Sequence, residues 1–409
     1  MRAALVRLRE LEVAHRALVG DGPSPFHVVI ERLLSATEGI VNGRPTILAG
    51  TNNYLGLTFD QACIEAACIA TRELGTGTTG SRLANGTFTG HVGLERALAQ
   101  FFHRRSAIVF STGYLANVGM LSTLLGPGEV VLIDADCHAS IYDGCRLGQA
   151  DIIRVRHNDV ADLEKRLRRL GDRAARALIV VEGIYSMRGD RAPLADIVGV
   201  KRLFGASLLV DEAHSLGVLG PHGRGLAEEV GVEDGVDFTV GTFSKSLGAT
   251  GGFCVSDHPE FELVRYAMRP YVFTASPSPG AIASVTAALA AMATRAELRE
   301  RLWSNARRLC QRLRDSGFTL AAEAGPIIAI LMPDAARGVA FWKALLERGV
   351  YVNLMLPPAT PNGWCLLRCS VSAAHSMEQI DRVAEGFEAL ASTIAAPAAR
   401  DGRDSIALP

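Results

Sequence analysis

Little in this 409-residue chain is extreme, and each shortage closes a class of function. Net charge is nearly absent: 42 basic and 43 acidic residues leave −1, so there is no electrostatic footprint for nucleic acid or for strong attraction to a membrane. No apolar run reaches the ~18 residues that a spanning helix needs. The eight cysteines, at 63, 68, 137, 145, 254, 310, 365 and 369, make no Cys-x-x-Cys pair and no His/Cys cluster with zinc spacing. No metal is expected, and free thiols in a reducing cytoplasm are the simplest reading. The start, MRAALVRLRELEVAHRAL, lacks the continuous apolar core of a secretory signal. No internal repeat is visible. What remains, 48% hydrophobic and 21% charged residues, is the make-up of a globular enzyme too long for one core, with roughly two or three domains, or one large domain and a smaller satellite, expected.

Leu5, Leu8, Leu11 and His15 recur at helical spacing. They predict an N-terminal amphipathic helix that packs on the body or on a partner chain, or else lies on a membrane surface. Further on, seven β-rich runs alternate with helical patterns: SAIVFS (106–111), EVVLIDAD (129–136), ADIIRVRH (150–157), ALIVVEG (177–183), SLLVDEAH (207–214), DFTVGTF (237–243) and GGFCVSD (251–257). Nearly continuous apolar strands separated by helices predict an α/β fold with a large, mainly parallel seven-stranded sheet covered on both faces. GGFCVSD follows the previous strand too closely for a crossover helix and is expected to be antiparallel. The Ala-rich stretch 281–316 is expected to be helical. IIAILMP, YVNLMLPPATP and CLLRCSVS, with helices between them, predict a smaller α+β C-terminal domain. The expected division is an N-terminal helical and extended segment, 1–55, a large domain, 56–290, a small domain, 291–394, and a flexible tail, 395–409. The basic run LEKRLRRLGDRAARA (163–177) reads as a solvated helix face, with weak attraction for an acidic ligand as the alternative.

GTGTTG, residues 75–80, fits G-x-G-x-x-G. A dinucleotide fingerprint must follow a strand, however, and the preceding CIEAACIATRELG reads as a helix. These glycines instead let the backbone pass close to a ligand or to another chain. In STGYLANVGML (111–121) a strand runs into Thr-Gly-Tyr and a helix start, which is either a phosphate cradle or a plain turn. DADCHASIYDG (134–144) puts His138 just past a strand end. VDEAHSLGVLG (210–220) ends an apolar strand on Asp211, with His214 close behind. A carboxylate buried there is costly unless it meets a cation. The next strand ends in Thr242, Ser244 and Lys245. One sheet edge therefore offers a phosphate cradle, a carboxylate, histidines, hydroxyls and a single amine, at the edge where open α/β sheets bind ligands. An amine for an aldehyde, a carboxylate for a pyridine nitrogen and a phosphate site are together what pyridoxal 5'-phosphate (PLP) requires.

VDEAHSLGVLG…GRG followed by GTFSKSLGATGG resembles the α-oxoamine synthases, PLP-dependent transferases of fold type I. They join an amino acid to an acyl-CoA thioester with loss of CO2. The resemblance runs from about residue 25 to 392. TGSRLANGT, FSTGYLANVGM, DADCHASIYDG, EGIYSMRGD, RPYVFTAS and PPATPNGWCLLRCS resemble the bacterial serine palmitoyltransferase branch. By this resemblance Lys245 is the Schiff-base lysine and general base, Asp211 pairs with the pyridine nitrogen, and His214 and Ser186 meet the phenolic oxygen. His138 stacks on the ring. Gly113 and Tyr114 form the phosphate-side turn, with Thr242 and Ser244 as further phosphate or lysine neighbours. Thr274 and Ser276 reach the phosphate from the other subunit. Arg368 holds the substrate carboxylate, for which its fork is suited, and Asn53 lies near the substrate. Two positions depart from the branch pattern: Leu356 stands where an arginine often precedes PPATP, and Asn52 stands where GTYNY has its first tyrosine.

The resemblance further implies condensation of L-serine with a long-chain acyl-CoA to 3-ketosphinganine, the first step of sphingolipid synthesis. It implies a cytoplasmic homodimer with shared active sites, residues 75–80 and 271–276 lying near the interface, with peripheral contact at the inner face of the membrane as an addition. The alternatives are a related synthase using glycine or alanine (2-amino-3-ketobutyrate ligase, 5-aminolevulinate synthase or 8-amino-7-oxononanoate synthase type), an aminotransferase, or a scaffolding subunit. The presence of Lys245 argues against the last.

Overall fold

The computed structural model describes residues 2–20, 23–357 and 359–393. The tail expected at 395–409 and Pro358 of the PPATP run lie outside them. The chain forms two compact units. One comprises residues 53–186 and 191–300. The other comprises the described residues of 1–52, 187–190 and 301–409.

The second of these begins with α1 (Arg2–Val19). Val19 is buried, and the Lys343 ammonium donates to its carbonyl at 2.7 Å, where a cation suits a helix C-terminus. Leu5 and Leu8 stay half-exposed within the chain. An antiparallel ribbon follows: β1 (Ile30–Leu33), β2 (Glu38–Val41) and β3 (Arg44–Leu48). Asn42 and Gly43 join β2 to β3 with φ of 50° and 71°. That is the Asn-Gly hairpin turn, whose two left-handed residues match the twist of the strands. The dipeptide was a readable signal for strands that the sequence reading left as an extended segment.

The large unit holds the seven-stranded sheet: β4 (Ser106–Phe110), β5 (Val130–Asp134), β6 (Asp151–Val155), β7 (Leu178–Glu182), β8 (Ser207–Asp211), β9 (Phe238–Thr242) and β10 (Gly252–Ser256). Their order is β4-β10-β9-β8-β7-β5-β6. Only β10 is antiparallel, to both of its neighbours, as its short connection requires. Every residue of β5, β7 and β9 is buried. Side chains alternate between faces, so both faces are covered, and the strands read as unbroken apolar runs. The sheet thus brings the ends of β4, β7, β8 and β9 to one edge. The helices of this unit include α2 (Gln61–Leu74), α3 (Thr89–Phe101), α4 (Gly113–Leu124) and α5 (Ala139–Gly148). GTGTTG follows α2 and no strand, and Ser81 just after it bridges to Ala275. A dinucleotide site is excluded by that context. Four of the five arginines of 163–177 pair with carboxylates, Arg166 with Asp162, Arg168 with Glu164, Arg173 with Asp151 and Arg176 with Glu129, as a solvated face does. The helical stretch expected at 281–316 is two helices, Pro279–Thr294 and Ala296–Asp315. Arg295 leaves the helical region (φ −112°, ψ 73°), which breaks the run. Its guanidinium then holds Asp60, the N-cap of α2, at 2.6 Å.

Glu95 anchors this unit internally. Its Oε1 accepts from Arg82 at 2.9 Å, from Arg265 at 3.0 Å and from the Val109 N–H at 2.9 Å. In the other unit β11 (Ile327–Met332), β12 (Val350–Tyr351), β13 (Asn353–Met355) and β14 (Cys365–Ser370) follow. β12 extends the N-terminal ribbon by pairing with β3, and β11, β14 and β13 form a small antiparallel sheet. All eight cysteines are free thiols. Among the described residues no single helix is long and apolar enough to cross a membrane.

Two stability predictions follow from this packing. Glu95→Ala leaves the buried Arg82 guanidinium without its carboxylate, while the partly buried Arg265 keeps Glu262, and is expected to cost about 3 kcal/mol in urea unfolding, with Glu95→Gln less harmful. His375 is buried, its Nδ1 accepts the Ser372 N–H at 3.0 Å, and burial lowers its pKa to about 4. The unfolded chain binds a proton near pH 6.5 that the folded chain refuses until about pH 4. Stability should therefore fall by about 3 kcal/mol as pH drops through that window. In His375→Gln this part of the pH dependence should vanish.

Candidate active site

At the C-terminal edge of the sheet lies a cavity of ≈ 280 Å³. Its lining includes Thr112, Gly113, Tyr114, Asn117, His138, Ser140, Glu182, Asp211, His214, Thr242, Ser244 and Lys245. The end of β9 brings Thr242, Ser244 and Lys245 to the lining. Asp211 ends β8, Glu182 ends β7 in register with it, and His138 caps α5. The placement of Lys245 is topological: parallel strands end together, and the amine ends among the chemistry of its neighbours.

The phosphate side is the first turn of α4. Thr112 caps that helix by accepting the Leu115 N–H at 3.1 Å, which leaves the N–H groups of Gly113 and Tyr114 without intrahelical partners. Thr242 and Ser244 hydroxyls lie 2.9 Å apart beside it. Gly113 is required by contact: a Cβ there would lie 2.7 Å from the Thr242 Cβ. A short N-terminal turn and paired hydroxyls make a donor set for an anion.

The floor is set by Asp211, only 5% exposed. Its Oδ2 accepts from the Asn117 amide at 2.6 Å and its Oδ1 from the Ala213 N–H at 2.9 Å. Glu182 beside it is buried, and accepts the main-chain N–H of His138. Burial first, and the nearby Asp211 charge second, push its carboxyl well above the usual range, which favours its protonated form. His214 is held by the Tyr54 hydroxyl, 2.7 Å from Nδ1. Tyr54 itself is fully buried. His138 opens on the cavity, and the Tyr114 ring meets it edge-on with centroids 6.5 Å apart. Loss of water around His138 lowers its pKa, partly countered by Asp211, so it is neutral at pH 7.

Lys245, Asp211, His138, His214, Gly113, Tyr114, Thr242 and Ser244 share this cavity. Ser186, Asn53, Thr274, Ser276 and Arg368 are not in its lining. Ser276 is engaged with the glycine-rich segment, its hydroxyl 2.7 Å from that of Thr78 and 2.6 Å from the Gly86 carbonyl. Asn53 donates to the Thr58 hydroxyl at 2.7 Å and keeps a buried Oδ1 without a partner. Arg368 belongs to the other unit. There it is buried on β14, donating to Asn52 Oδ1 at 3.1 Å and to the Ser370 hydroxyl at 3.1 Å. Asn52, the departure from the family pattern, thus holds the guanidinium that the pattern assigns to substrate. Leu356, the other departure, is buried.

Sequence reasoning missed Asn117, Ser140, Glu182 and Tyr54. Asn117 stands one helical turn after Gly113, so its place on the same face as the phosphate turn was readable. Ser140 stands where an N-cap side chain finds its N–H. Glu182 ends its apolar strand as Asp211 ends the next, so a second carboxylate at this edge was readable, whereas nothing local tied Tyr54 to His214.

The chain belongs to the aminotransferase class I and II family, whose model matches residues 44–387. Within it the chain is similar to serine palmitoyltransferases. It is 60% identical to that of Caulobacter vibrioides, over 91% of this chain and 93% of the relative. It is 52% identical to that of Sphingomonas paucimobilis, over 89% of this chain and 87% of the relative. A high-resolution structure of SPT with PLP as its internal aldimine superposes with a TM-score of 0.93 at 50% identity, covering 95% of this chain and 98% of that one. The architecture is accordingly that of a fold-type I transferase.

Replacing Gly113 tests the cradle. Gly113→Val forces α4 and β9 apart, and should lower stability by about 1–3 kcal/mol, read by chemical denaturation. Gly113→Ser, smaller but equally in contact with Thr242, should lie between.

Proposed function

We propose that this chain is a serine palmitoyltransferase that uses PLP, L-serine and a long-chain acyl-CoA. The observation that carries the reading is the convergence of Lys245, Asp211, His138 and His214 on one cavity, in a chain 60% identical to a relative of that name. The donor set suits the cofactor: an anion turn for phosphate, a buried carboxylate for a ring nitrogen, and an amine within the same lining. When bound, PLP supplies an aldehyde that captures amines and a ring that draws electron density from the adjoining carbon.

The chain's own residues do the rest. Gly113, Tyr114, Thr242 and Ser244 take the phosphate. Asp211, held by two N–H donors, would keep the proton on the ring nitrogen. His214, oriented by Tyr54, and Ser186 serve the phenolic oxygen. His138 covers the ring face. Arg368, oriented by Asn52 and Ser370, holds the serine carboxylate, with Asn53 nearby on the substrate side. Lys245 takes the α-proton of serine as general base and returns a proton at the end. A carbon–carbon bond forms between the serine α-carbon and the acyl carbon as the carbon–sulfur bond breaks, coenzyme A leaves as a thiolate that takes a proton from solvent, and the carboxylate leaves as CO2. The product is 3-ketosphinganine.

A homodimer is part of this proposal. Thr274 and Ser276 do not line their own chain's cavity, which accords with a role across an interface. An apolar groove of ≈ 500 Å³ between α2, α3 and the helix Pro279–Thr294 supports a partner on that face. The proposed setting is the cytoplasm, with Leu5 and Leu8 of α1 available for peripheral contact with the inner face of the membrane.

Thiol release from palmitoyl-CoA, with PLP and with serine, glycine or alanine offered separately, tests the reading. Release with serine alone is expected. Lys245→Ala should lower it by about 10²–10⁴-fold or more. Preferential release with glycine or alanine would place the chain in another branch. Keto-acid exchange without thiol release would make it an aminotransferase.

A further inference from the structure

The hydrogen bonds between Asp211 and His138 run in one direction only. With Asp211 an anion, its Oδ2 can only accept, so the group 2.6 Å away must be the Asn117 amide nitrogen and not its carbonyl. The second proton of that nitrogen goes to the Ser140 hydroxyl oxygen at 3.1 Å. Asn117 Oδ1 is left buried with no partner, which the opposite amide orientation would place against the carboxylate. Ser140 therefore accepts from Asn117 and has its own hydroxyl proton to give. His138 Nδ1 is 2.8 Å from it. The Ser140 main-chain N–H points at the same nitrogen, at 3.2 Å, as an N-cap interaction. Nδ1 is thus an acceptor twice over, and in a neutral imidazole the proton must sit on Nε2. Among the described residues no hydrogen bond is made to Nε2, and the ring lines the cavity.

We propose that Asn117 and Ser140 are positioning residues that order the protons between Asp211 and His138, so that His138 presents Nε2–H, a donor, to whatever occupies the cavity. The carboxylate that serves the ring nitrogen and the imidazole that serves the ring face are then set by one relay. Its links are rigid: Ser140 is fully buried and Asn117 is 3% exposed. The helix N-terminus that His138 caps disfavours an imidazolium, as does the lowered pKa of the ring. Asp211, Lys245 and Asp143 act on the ring electrostatically, and the Glu182 carboxyl holds its main-chain N–H. In the proposed reaction a fixed N–H donor can bind the substrate carboxylate or the thioester carbonyl, where an unprotonated nitrogen would repel both. This last consequence rests on the function proposed above, whereas the tautomer itself does not.

The test is a long-range 1H–15N correlation spectrum of the PLP-loaded protein labelled in its histidine rings, with His138 assigned by loss of its signals in His138→Asn. Between pH 7 and 8 the pattern of a neutral ring protonated at Nε2 is expected. An Nδ1-protonated ring, an averaged mixture or an imidazolium would overturn the proposal. Ser140→Ala, which keeps the main-chain donor but removes the hydroxyl, should let the second tautomer appear, and Ser140→Thr should suppress it again. An unchanged tautomer in Ser140→Ala would sink the relay and leave only the cap. Asn117→Leu probes the far end and should also admit the second tautomer. Because the tautomer is read without turnover, absence of serine-dependent thiol release beside an Nε2–H ring would overturn the proposed reaction alone.

Discussion

The anionic carboxylate of Asp211, buried at the end of a central strand, is the constraint on which the rest of the site depends. A charge so placed is tolerated only with strong, well-aimed donors. Here they come from the Asn117 amide and the Ala213 N–H. The neighbouring strand ends in a second carboxyl, Glu182, in register with the first. Two adjacent buried anions would repel each other, so one keeps its proton and is used instead as an acceptor for the His138 main chain. One charge, one neutral acid and one neutral imidazole then coexist within a few ångströms, each held in its state by the others.

The sheet topology makes this crowding feasible. Parallel strands deliver their C-terminal ends to one edge, whereas a meander would have scattered the same residues over two. The antiparallel β10 lies between β4 and β9, and it brings the Gly113 turn against the Thr242 hydroxyl without an intervening side chain. The small residues around Lys245 allow that approach. Close packing at the phosphate turn and charge control at the floor are separate devices, built on different strands of the same edge.

Much of the fold was legible because its signals are local. All seven apolar runs became strands of one sheet, and the glycines of GTGTTG were correctly denied a dinucleotide role by the helix before them. The residues missed have non-local reasons. Tyr54 matters through His214, 160 positions away, and Glu182 through its register with Asp211. The break at Arg295 was hidden because good helix formers flank it, alanines before and leucines and arginines after, and Arg295 meets Asp60 only in the folded chain. Asn52 read as a departure from a pattern. In the structure it is a ligand of Arg368, a contact no spacing could suggest.

By itself the sequence determined the strand set, the amine at a strand end and the carboxylate and histidines that accompany it. Apolar periodicity and strand termini depend on residues near one another in the chain. The tertiary structure alone decided which groups face each nitrogen of His138, which donors each of two buried carboxyls meets, and which side chains orient the arginine and the second histidine. Those arrangements are settled by hydrogen bonds between elements far apart in sequence, and a hydrogen bond has a direction only once both partners are in place.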